Sequence, residues 1–288
     1  MKFLILGAIN NENTFDLEKE IKKSGHQVVK IKPSSFIFKV INGELKVFSG
    51  GIDLSKFDVY IPRGYNKNFL ETKIFAEKML SLKKIVVDEF VGKIFMQSKL
   101  FEASKLPRAG INYPQTHYIV EYKSFEDIKN EISYPAIVKP ASGQKGRDIY
   151  KFKNEAELKA FLKDNSKGWL IQECLEIDGD VRIFVVGGKA LGAMKRFMVE
   201  GDYRSNISLG ARAEAFNLTI EIENMALKAV KTMGYEIAGV DLAYSNGKWY
   251  VIEVNSTPQW QGFKKSTGIN PAKFIVEYCI AKFKKKND

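Results

Sequence analysis

The sequence predicts an α/β protein with α+β lobes. Short apolar runs bounded by turn residues alternate with amphipathic stretches along the chain. The chain has 288 residues, of which 45% are hydrophobic, so it can bury a full core and is long enough for two domains. No long stretch rich in Pro, Gly or Ser interrupts it, so we expect the domains to pack closely.

The first part of the chain, residues 1–90, predicts a small α/β domain. The apolar run 2–6 ends at Gly7, and an amphipathic stretch at 15–23 and a second apolar run at 27–31 follow it. This β-loop-α-β order predicts a parallel sheet with a crossover helix. Further elements are predicted as strands at 44–48, 59–61 and 85–87 and as a helix at about 69–83. The pattern G-x-G-x-x-G is absent after the first strand, so we expect no dinucleotide site there.

The second part, residues 91–288, predicts a larger domain with a central lobe at 91–171 and a C-terminal lobe at 172–288. A helix over about 91–106 is closed by Pro107 and Gly110, residue types that end helices. The central lobe continues with a helix near 124–132 and with strands at 116–120, 136–139 and 169–173. The C-terminal lobe is predicted to alternate strands with one long helix, at about 220–233.

The composition indicates where the protein is expected to be located and which partners it is expected to bind. The longest apolar runs are far shorter than the roughly 20 residues that cross a bilayer, so we expect no membrane partner. Two cysteines cannot form a disulfide framework and no secretory signal is visible, which favours a cytoplasmic location. With 45 Lys and Arg against 34 Asp and Glu, the net charge is +11. A solvated basic surface explains this charge most simply, and a phosphate-rich ligand or an acidic protein partner is the alternative.

A cluster of oxygen donors near the C-terminus predicts a metal site. Asp241 and Glu253 lie in two apolar strand-like runs, and the turn residues at 245–248 between them predict a hairpin that brings the two together. Glu253 and Asn255 are two residues apart and therefore share one strand face. Two carboxylates and an amide oxygen suit Mg²⁺. The alternative is an ordinary polar face of a half-exposed hairpin.

Basic residues supply candidate phosphate contacts. Lys139 ends a buried-type strand, and the small-residue loop at 142–146 after it offers backbone N–H groups for phosphates, although it is no Walker A motif. A plain hairpin turn is the alternative for the loop, and Lys99 alone resembles a solvated surface lysine. Asp180 and Arg182 share a strand face, and arginine binds phosphate with two hydrogen bonds. Next to a Mg²⁺ site, such cations describe a site for a nucleoside triphosphate.

In their order along the chain, these motifs resemble the ATP-grasp superfamily, and most closely the branch that includes the RimK-type α-L-glutamate ligases. The resemblance covers about residues 91–288, and its specific parts are the Asp241, Glu253 and Asn255 set and the segment Gly-Asp-Tyr-Arg-Ser-Asn at 201–206. It implies an ATP-grasp fold that follows an N-terminal Rossmann-like pre-ATP-grasp domain.

The resemblance also implies a role for each matching residue. ATP phosphates would contact Lys99, Lys139, Ser142, Gly143, Gln144, Lys145 and Gly146. The adenine and ribose would contact Glu173, Cys174, Leu175, Glu176, Asp178 and Asp180. The γ-phosphate end would contact Arg204, Ser205 and Asn206, and the catalytic set would be Lys139, Arg182, Arg204 and Asn206. One or two Mg²⁺, with Mn²⁺ as a substitute, would bind Asp241, Glu253 and Asn255, and the substrate would contact Arg63, Arg196 and Arg204.

The resemblance implies an amide-forming ligase, and the absence of an evident side-chain nucleophile agrees with it because such a ligase needs none. In such a ligase a substrate carboxylate attacks the γ-phosphate of ATP, and an amine then displaces phosphate from the acyl phosphate. L-glutamate is the expected amino acid, with a protein, peptide or cofactor as the amine-bearing acceptor. An acidic protein tail that meets the lysines at 282–286 is one form of that acceptor, and a homo-oligomer is expected. The alternatives are a ligase for another amino acid or small carboxylate, or a non-catalytic basic protein that binds nucleotide or RNA.

Overall fold

The computed structural model describes residues 1–93, 98–141, 148–165, 167–198 and 212–287. The chain begins with β1 (Lys2–Leu6), α1 (Glu12–Lys23), β2 (Gln27–Ile31), β3 (Ile37–Ile41), β4 (Glu44–Ser49), β5 (Ile52–Asp53), β6 (Val59–Pro62), α2 (Phe69–Ser81), β7 (Ile85–Val86) and α3 (Phe90–Lys93). Next come α4 (Lys99–Lys105), β8 (Thr116–Ile119), α5 (Phe125–Ile128), β9 (Ala136–Pro140), β10 (Tyr150–Phe152), α6 (Glu155–Asp164), β11 (Trp169–Glu173), β12 (Gly179–Val186) and β13 (Lys189–Phe197). The last elements are β14 (Ala213–Phe216), α7 (Ile220–Met233), β15 (Ile237–Ser245), β16 (Lys248–Asn255), α8 (Gln261–Thr267) and α9 (Pro271–Asn287).

The first sheet is parallel and has the strand order β2-β1-β6-β7. Alternate residues of β1 point to opposite faces, and both faces are buried. Phe3 and Ile5 pack with residues of α1, whereas Leu4 and Leu6 pack with residues of α2. Strands β3, β4 and β5 form a separate antiparallel sheet. The Asn42-Gly43 turn connects β3 to β4 as a hairpin.

Two antiparallel sheets form the rest of the described chain. The central sheet has the order β10-β9-β11-β8, and α6 covers it with Leu158 and Leu162. The larger sheet has the order β14-β13-β12-β15-β16. Residues of α7 pack on one of its faces, and residues of α8 and α9 pack on the other. One apolar core joins this second face to β1 and α1, so the N-terminal sheet and the larger sheet pack closely, as the missing linker predicts.

Most predicted elements are confirmed, including α7 and the hairpin of β15 and β16. The helix predicted at 91–106 is described as α3 and α4, and residues 94–97 between them lie outside the described residues. The helix predicted at 124–132 is wrong in length. The α-helix α5 ends at Ile128, because the backbone of this residue leaves the helical range with φ −115°. A short 3-10 helix follows at Lys129–Glu131.

Two predictions about the number of elements are also wrong. The C-terminal lobe has α8 and α9 in addition to α7, although Pro271 and the apolar spacing of Ala272, Ile275, Val276 and Cys279 indicate a helix. Strand β3 was missed, although it directly precedes the Asn42-Gly43 turn. No helix in the described part of the chain is long and apolar enough to cross a membrane.

Lysines of the C-terminal helix α9 bind residues next to β7 of the N-terminal sheet and next to β15 of the larger sheet. The ammonium group of Lys282 lies 2.5 Å from Glu236 and 2.8 Å from Glu89. Burial raises the pKa of the Glu89 carboxyl, but Lys282 and Lys93 outweigh this effect and hold that pKa at about 2. Lys286 donates to the backbone carbonyls of Lys83 and Lys84. Two of the lysines that we expected to meet an acidic partner therefore bind this chain itself.

We predict that Lys282→Gln destabilises the fold by about 1 kcal/mol at pH 7, because two ion pairs are lost. The Glu89 pKa is depressed from 4.5 to about 2, so the contribution of that pair is present above pH 4.5 and disappears as the pH falls towards 2. Urea unfolding of wild type and variant across this pH range measures the difference. Lys284→Gln, an exposed position on the same helix, should leave the stability unchanged.

Candidate active site

The hairpin of β15 and β16 brings the predicted metal ligands together. Asp241 lies directly opposite Glu253, and Asn255 lies opposite Gly239. An irregularity in the pairing follows Asp241 and shifts the register of the remaining pairs. The side chain of Asp241 is 4% exposed, whereas that of Glu253 is 36% exposed. One carboxylate is therefore buried beneath the site, and the other is accessible.

Two arginines hold the buried carboxylate of Asp241. Nε and Nη2 of Arg182 each lie 2.6 Å from one oxygen of Asp241, and Nη2 of Arg196 lies 2.8 Å from Oδ2. Arg196 also donates from Nε to Asp180 at 2.6 Å. Burial raises the pKa of Asp241, but both guanidinium groups outweigh it and hold the pKa at about 2. This carboxylate is therefore ionised at every physiological pH.

Strand pairing sets this arrangement. Arg182 on β12 pairs with Asp241 on β15, and Asp180 on β12 pairs with Arg196 on β13. All four side chains lie on one face of three adjacent strands, where each acid has a base in the next strand. A shift of one residue in any strand would turn its charge to the opposite, apolar face.

Two lysines complete the cluster. Lys99, the first residue of α4, places its ammonium 2.6 Å from Oε1 of Glu253. The charge of Lys99 lowers the pKa of Glu253. The backbone N–H of Lys99 donates to the carbonyl of Ala141 at 2.8 Å, which fastens the start of α4 to the chain just after β9. Lys139 on β9 is buried, and burial together with the charge of Lys99 lowers its pKa to about 8.

Glu102 is a buried acid of the cluster that the sequence reasoning missed. It lies one helical turn from Lys99, is 6% exposed, and accepts a hydrogen bond from the backbone N–H of Val254 at 3.3 Å. Burial raises its pKa to about 7, against the opposing charge of Lys99. The helical spacing was the available signal that Glu102 is buried, because Glu102 lies four residues before the buried Leu106 and shares its helix face.

The residues predicted to face adenine and ribose run from Glu173, the last residue of β11, to Asp180, the second residue of β12. Glu173 accepts from the backbone N–H of Gln115 at 2.8 Å, and Cys174 donates its backbone N–H to Pro135 at 3.3 Å. These bonds hold the ends of β11, β8 and β9 together. Leu175 is half-buried and Glu176 is exposed. Asp178 is also exposed, and its carboxylate pairs with Lys195 at 2.6 Å.

Several predicted site residues lie outside the described residues: Ser142, Gly143, Gln144, Lys145, Gly146, Arg204, Ser205 and Asn206. The predicted substrate residue Arg63 is described, and it is buried next to the metal motif. Its Nη1 donates to the backbone carbonyl of Ser256 at 2.8 Å. The structure thus brings Arg63 to the residue that follows Asn255 in the chain.

The donor set of this site fits Mg²⁺. Asp241, Glu253 and Asn255 offer oxygen only, and Asn255 Oδ1 also accepts from the backbone N–H of Thr257 at 2.9 Å. Within the described ranges, no three His, Cys, Asp or Glu side chains gather as a metal site. An amide and non-protein oxygens would therefore have to complete the shell, which is the usual arrangement for Mg²⁺ with phosphates.

A profile of the RimK-like ATP-grasp domain matches residues 97–279. The chain belongs to the RimK-like ATP-grasp family. A relative from Vibrio atlanticus (strain LGP32), named "Probable alpha-L-glutamate ligase", is 33% identical over 291 residues, which cover 96% of this chain and 95% of the relative.

Solved structures agree on the fold. The ATP-grasp ligase PsnB, complexed with minimal precursor, Mg and ADP, has a TM-score of 0.75 at 17% identity and covers 98% of both chains. D-alanine–D-alanine ligase from Bacillus anthracis, complexed with ATP, has a TM-score of 0.70 at 16% identity and covers 99% of both chains. The RimK-like chain therefore has the ATP-grasp fold and is a ligase that forms C–N bonds.

We predict that Glu102→Gln weakens nucleotide binding by several-fold while the stability stays close to wild type. The amide keeps the acceptor for the Val254 N–H, but the loss of the charge lowers the pKa of Lys139 further. Glu102→Ala should in addition destabilise the fold by about 1 to 3 kcal/mol, because the buried N–H loses its acceptor. Calorimetric titration with a non-hydrolysable ATP analogue and thermal unfolding separate the two effects.

The surface variant Glu221→Gln in α7 is the matched control and should change neither quantity. Equal nucleotide affinity in wild type and Glu102→Gln would show that Glu102 does not act on the lysines.

Proposed function

We propose that this ligase uses ATP and Mg²⁺ to join L-glutamate to a peptide, protein or cofactor acceptor through an acyl-phosphate intermediate. The observation that carries the proposal is the facing pair of Asp241 and Glu253 within a ring of cations: Lys99, Lys139, Arg182 and Arg196. Carboxylates that bind a divalent ion, next to cations that bind phosphate, are what transfer of a phosphoryl group to a carboxylate requires.

The charges in the cluster have a use in this reaction. Lys99, Arg182 and Arg196 are held on carboxylates in the described structure. Asp241, Glu253 and Asn255 would hold Mg²⁺, which would supply the positive charge that neutralises the carboxylates next to the phosphates. Lys99 would then be free to donate to phosphate, as would Lys139, whose pKa of about 8 keeps it mostly protonated at neutral pH. These donors offset the charge that develops on the transferred group.

The remaining predicted residues bind the nucleotide, position another side chain or act at the transferred group in this proposal. Glu173, Cys174 and Leu175 form the hinge for adenine, Glu176 or Asp178 meets the ribose, and Asp180 holds Arg196 in place. Arg204 and Asn206 act at the acyl-phosphate end, and the segment 142–146 covers the phosphates. The protein supplies no covalent nucleophile, because the substrate carboxylate attacks the γ-phosphate itself.

Relatives support glutamate and a peptide acceptor. The Vibrio atlanticus relative carries the name of an α-L-glutamate ligase, and PsnB is described in complex with its precursor. A basic surface of net charge +11 suits an acidic peptide or protein. Another amino acid as substrate is the alternative. The division at residues 90 and 91, the cytoplasmic location, the homo-oligomer and the use of Mn²⁺ remain predictions from the sequence.

We predict ADP release from Mg²⁺-ATP that depends on L-glutamate and is abolished in Glu253→Gln, because the amide cannot supply the metal with a charged ligand. The assay tests each of the twenty amino acids, with and without short acidic peptides, and mass spectrometry then identifies the product. A gain of one glutamate residue is the expected result. Thermal unfolding verifies that the variant is folded, and the exposed Glu131→Gln is the control that should retain full activity.

Glutamate-independent turnover with a mass gain from another amino acid would contradict the choice of substrate. Unchanged ADP release in Glu253→Gln would contradict the assignment of the metal ligands.

A further inference from the structure

The loop at residues 256–260 connects the metal motif to helix α8. It starts directly after Asn255, the last residue of β16, and ends at Trp260, directly before the first residue of α8. Helix α1, which packs on the N-terminal sheet, contacts the far end of this loop through polar side chains. The position of the loop therefore depends on a part of the fold that is distant in sequence.

Asp16 of α1 is the centre of these contacts. One oxygen of its carboxylate accepts from Nε1 of Trp260 at 3.2 Å and from Nε2 of Gln261 at 2.9 Å. The other oxygen accepts from Nζ of Lys264 at 2.8 Å. The side chain of Asp16 is 16% exposed, so water competes little for these bonds. Burial raises the pKa of Asp16, but the hydrogen bonds from Lys264, Gln261 and Trp260 outweigh it and lower the pKa.

Asn13 extends the contact to the middle of the loop. Its Nδ2 donates to Oε1 of Gln259 at 2.8 Å, and its Oδ1 accepts from Nε2 of Gln261 at 3.0 Å. Asn13 and Asp16 are three residues apart and share one face of α1. This face therefore holds three consecutive residues, 259–261, where the loop enters α8.

The near end of the loop orients the metal ligand Asn255. Oδ1 of Asn255 accepts from the backbone N–H of Thr257 at 2.9 Å, which ties the direction of this side chain to the backbone of the loop. At the far end, the ring of Trp260 is fully buried and packs edge to face on Phe184, with the ring centres 6.1 Å apart. Asn255 is therefore oriented by a loop whose far end α1 holds in place.

We infer that Asp16 is a positioning residue for the metal site, because it holds the loop at 256–260 through Trp260 and Gln261 and thereby orients Asn255. The inference rests on the proposed function for the binding of Mg²⁺ with the nucleotide. Groups that contact a metal ligand directly typically change the metal affinity by about 10- to 100-fold when they are replaced. Asp16 acts through the loop, so we expect a smaller effect of about three- to tenfold.

A second polar contact of α1 separates positioning from stability. Glu20 of α1 accepts from Nδ2 of Asn270 at 3.3 Å, in the turn between α8 and α9. Asp16→Asn and Glu20→Gln each remove one negative charge from the same helix and weaken its contact with the C-terminal part of the chain. Only the first change acts on the loop that follows Asn255.

Calorimetric titration of a non-hydrolysable ATP analogue into the full chain, at a series of Mg²⁺ concentrations, gives the Mg²⁺ concentration at which half of the gain in nucleotide affinity is reached. Asp16→Asn should raise this concentration by about three- to tenfold, while its affinity for the analogue in EDTA stays that of wild type. Asp16→Glu keeps a charged acceptor and should restore most of the Mg²⁺ dependence. Glu20→Gln is the matched control and should leave that concentration unchanged, even if thermal unfolding shows a lower stability.

An unchanged Mg²⁺ dependence in Asp16→Asn would overturn the inference, and so would equal shifts in Asp16→Asn and Glu20→Gln. If Asp16→Asn does not fold, Gln261→Met takes its place, since it removes a donor to both Asp16 and Asn13, and an unchanged Mg²⁺ dependence in that variant would likewise overturn the inference. If wild type gains affinity from Mg²⁺ in either case, the proposed function stands. If Mg²⁺ does not change the affinity of wild type, both fail.

Discussion

The buried ion pairs of Asp241 with Arg182 and Arg196 are the interaction on which the candidate active site depends. Burying these charges is costly, and loss of one partner from such a set typically costs about 3 to 5 kcal/mol. The geometry must therefore be correct in several strands at once. The antiparallel register of β12, β13 and β15 supplies it, because each acid lies opposite a base of the neighbouring strand.

Contacts between distant elements of the fold position the other cations at the hairpin. Lys99 reaches Glu253 because α4 starts where β9 ends, and Arg63 reaches Ser256 because Gly7 lets β1 and β6 approach. The N-terminal sheet and helix α4 thus each contribute a cation to one end of the β15–β16 hairpin. In the proposed function, Asp241 and Glu253 would hold Mg²⁺, and the cations that they bind in this structure would be available to phosphate. In the proposed function, the cluster would therefore hold ligands for both Mg²⁺ and the nucleotide phosphates.

The sequence predicted the parts of the site that follow from local pattern. The turn at 245–248 and the two flanking apolar runs predicted the pairing of Asp241 with Glu253. The contacts of Arg196 and Glu102 could not be predicted, because they depend on the pairing of β12 with β13 and on the way α4 packs against β16. The sequence does carry a signal for α9, in Pro271 and the apolar spacing that follows it. In the sequence, Lys99 resembles a solvated surface lysine. Only its tertiary contact with Glu253 places it in the cluster.

The most direct test of this account is the affinity of the full chain for a non-hydrolysable ATP analogue, measured by calorimetry with Mg²⁺ and with EDTA, in wild type and in Asp241→Asn. The account predicts that Mg²⁺ raises the affinity of wild type by at least about tenfold, since Asp241 and Glu253 would hold the metal and leave Lys99 and the arginines available to phosphate. Asp241→Asn should lose this gain. Equal affinity of wild type with and without Mg²⁺ would contradict the central claim that this cluster is the metal and nucleotide site.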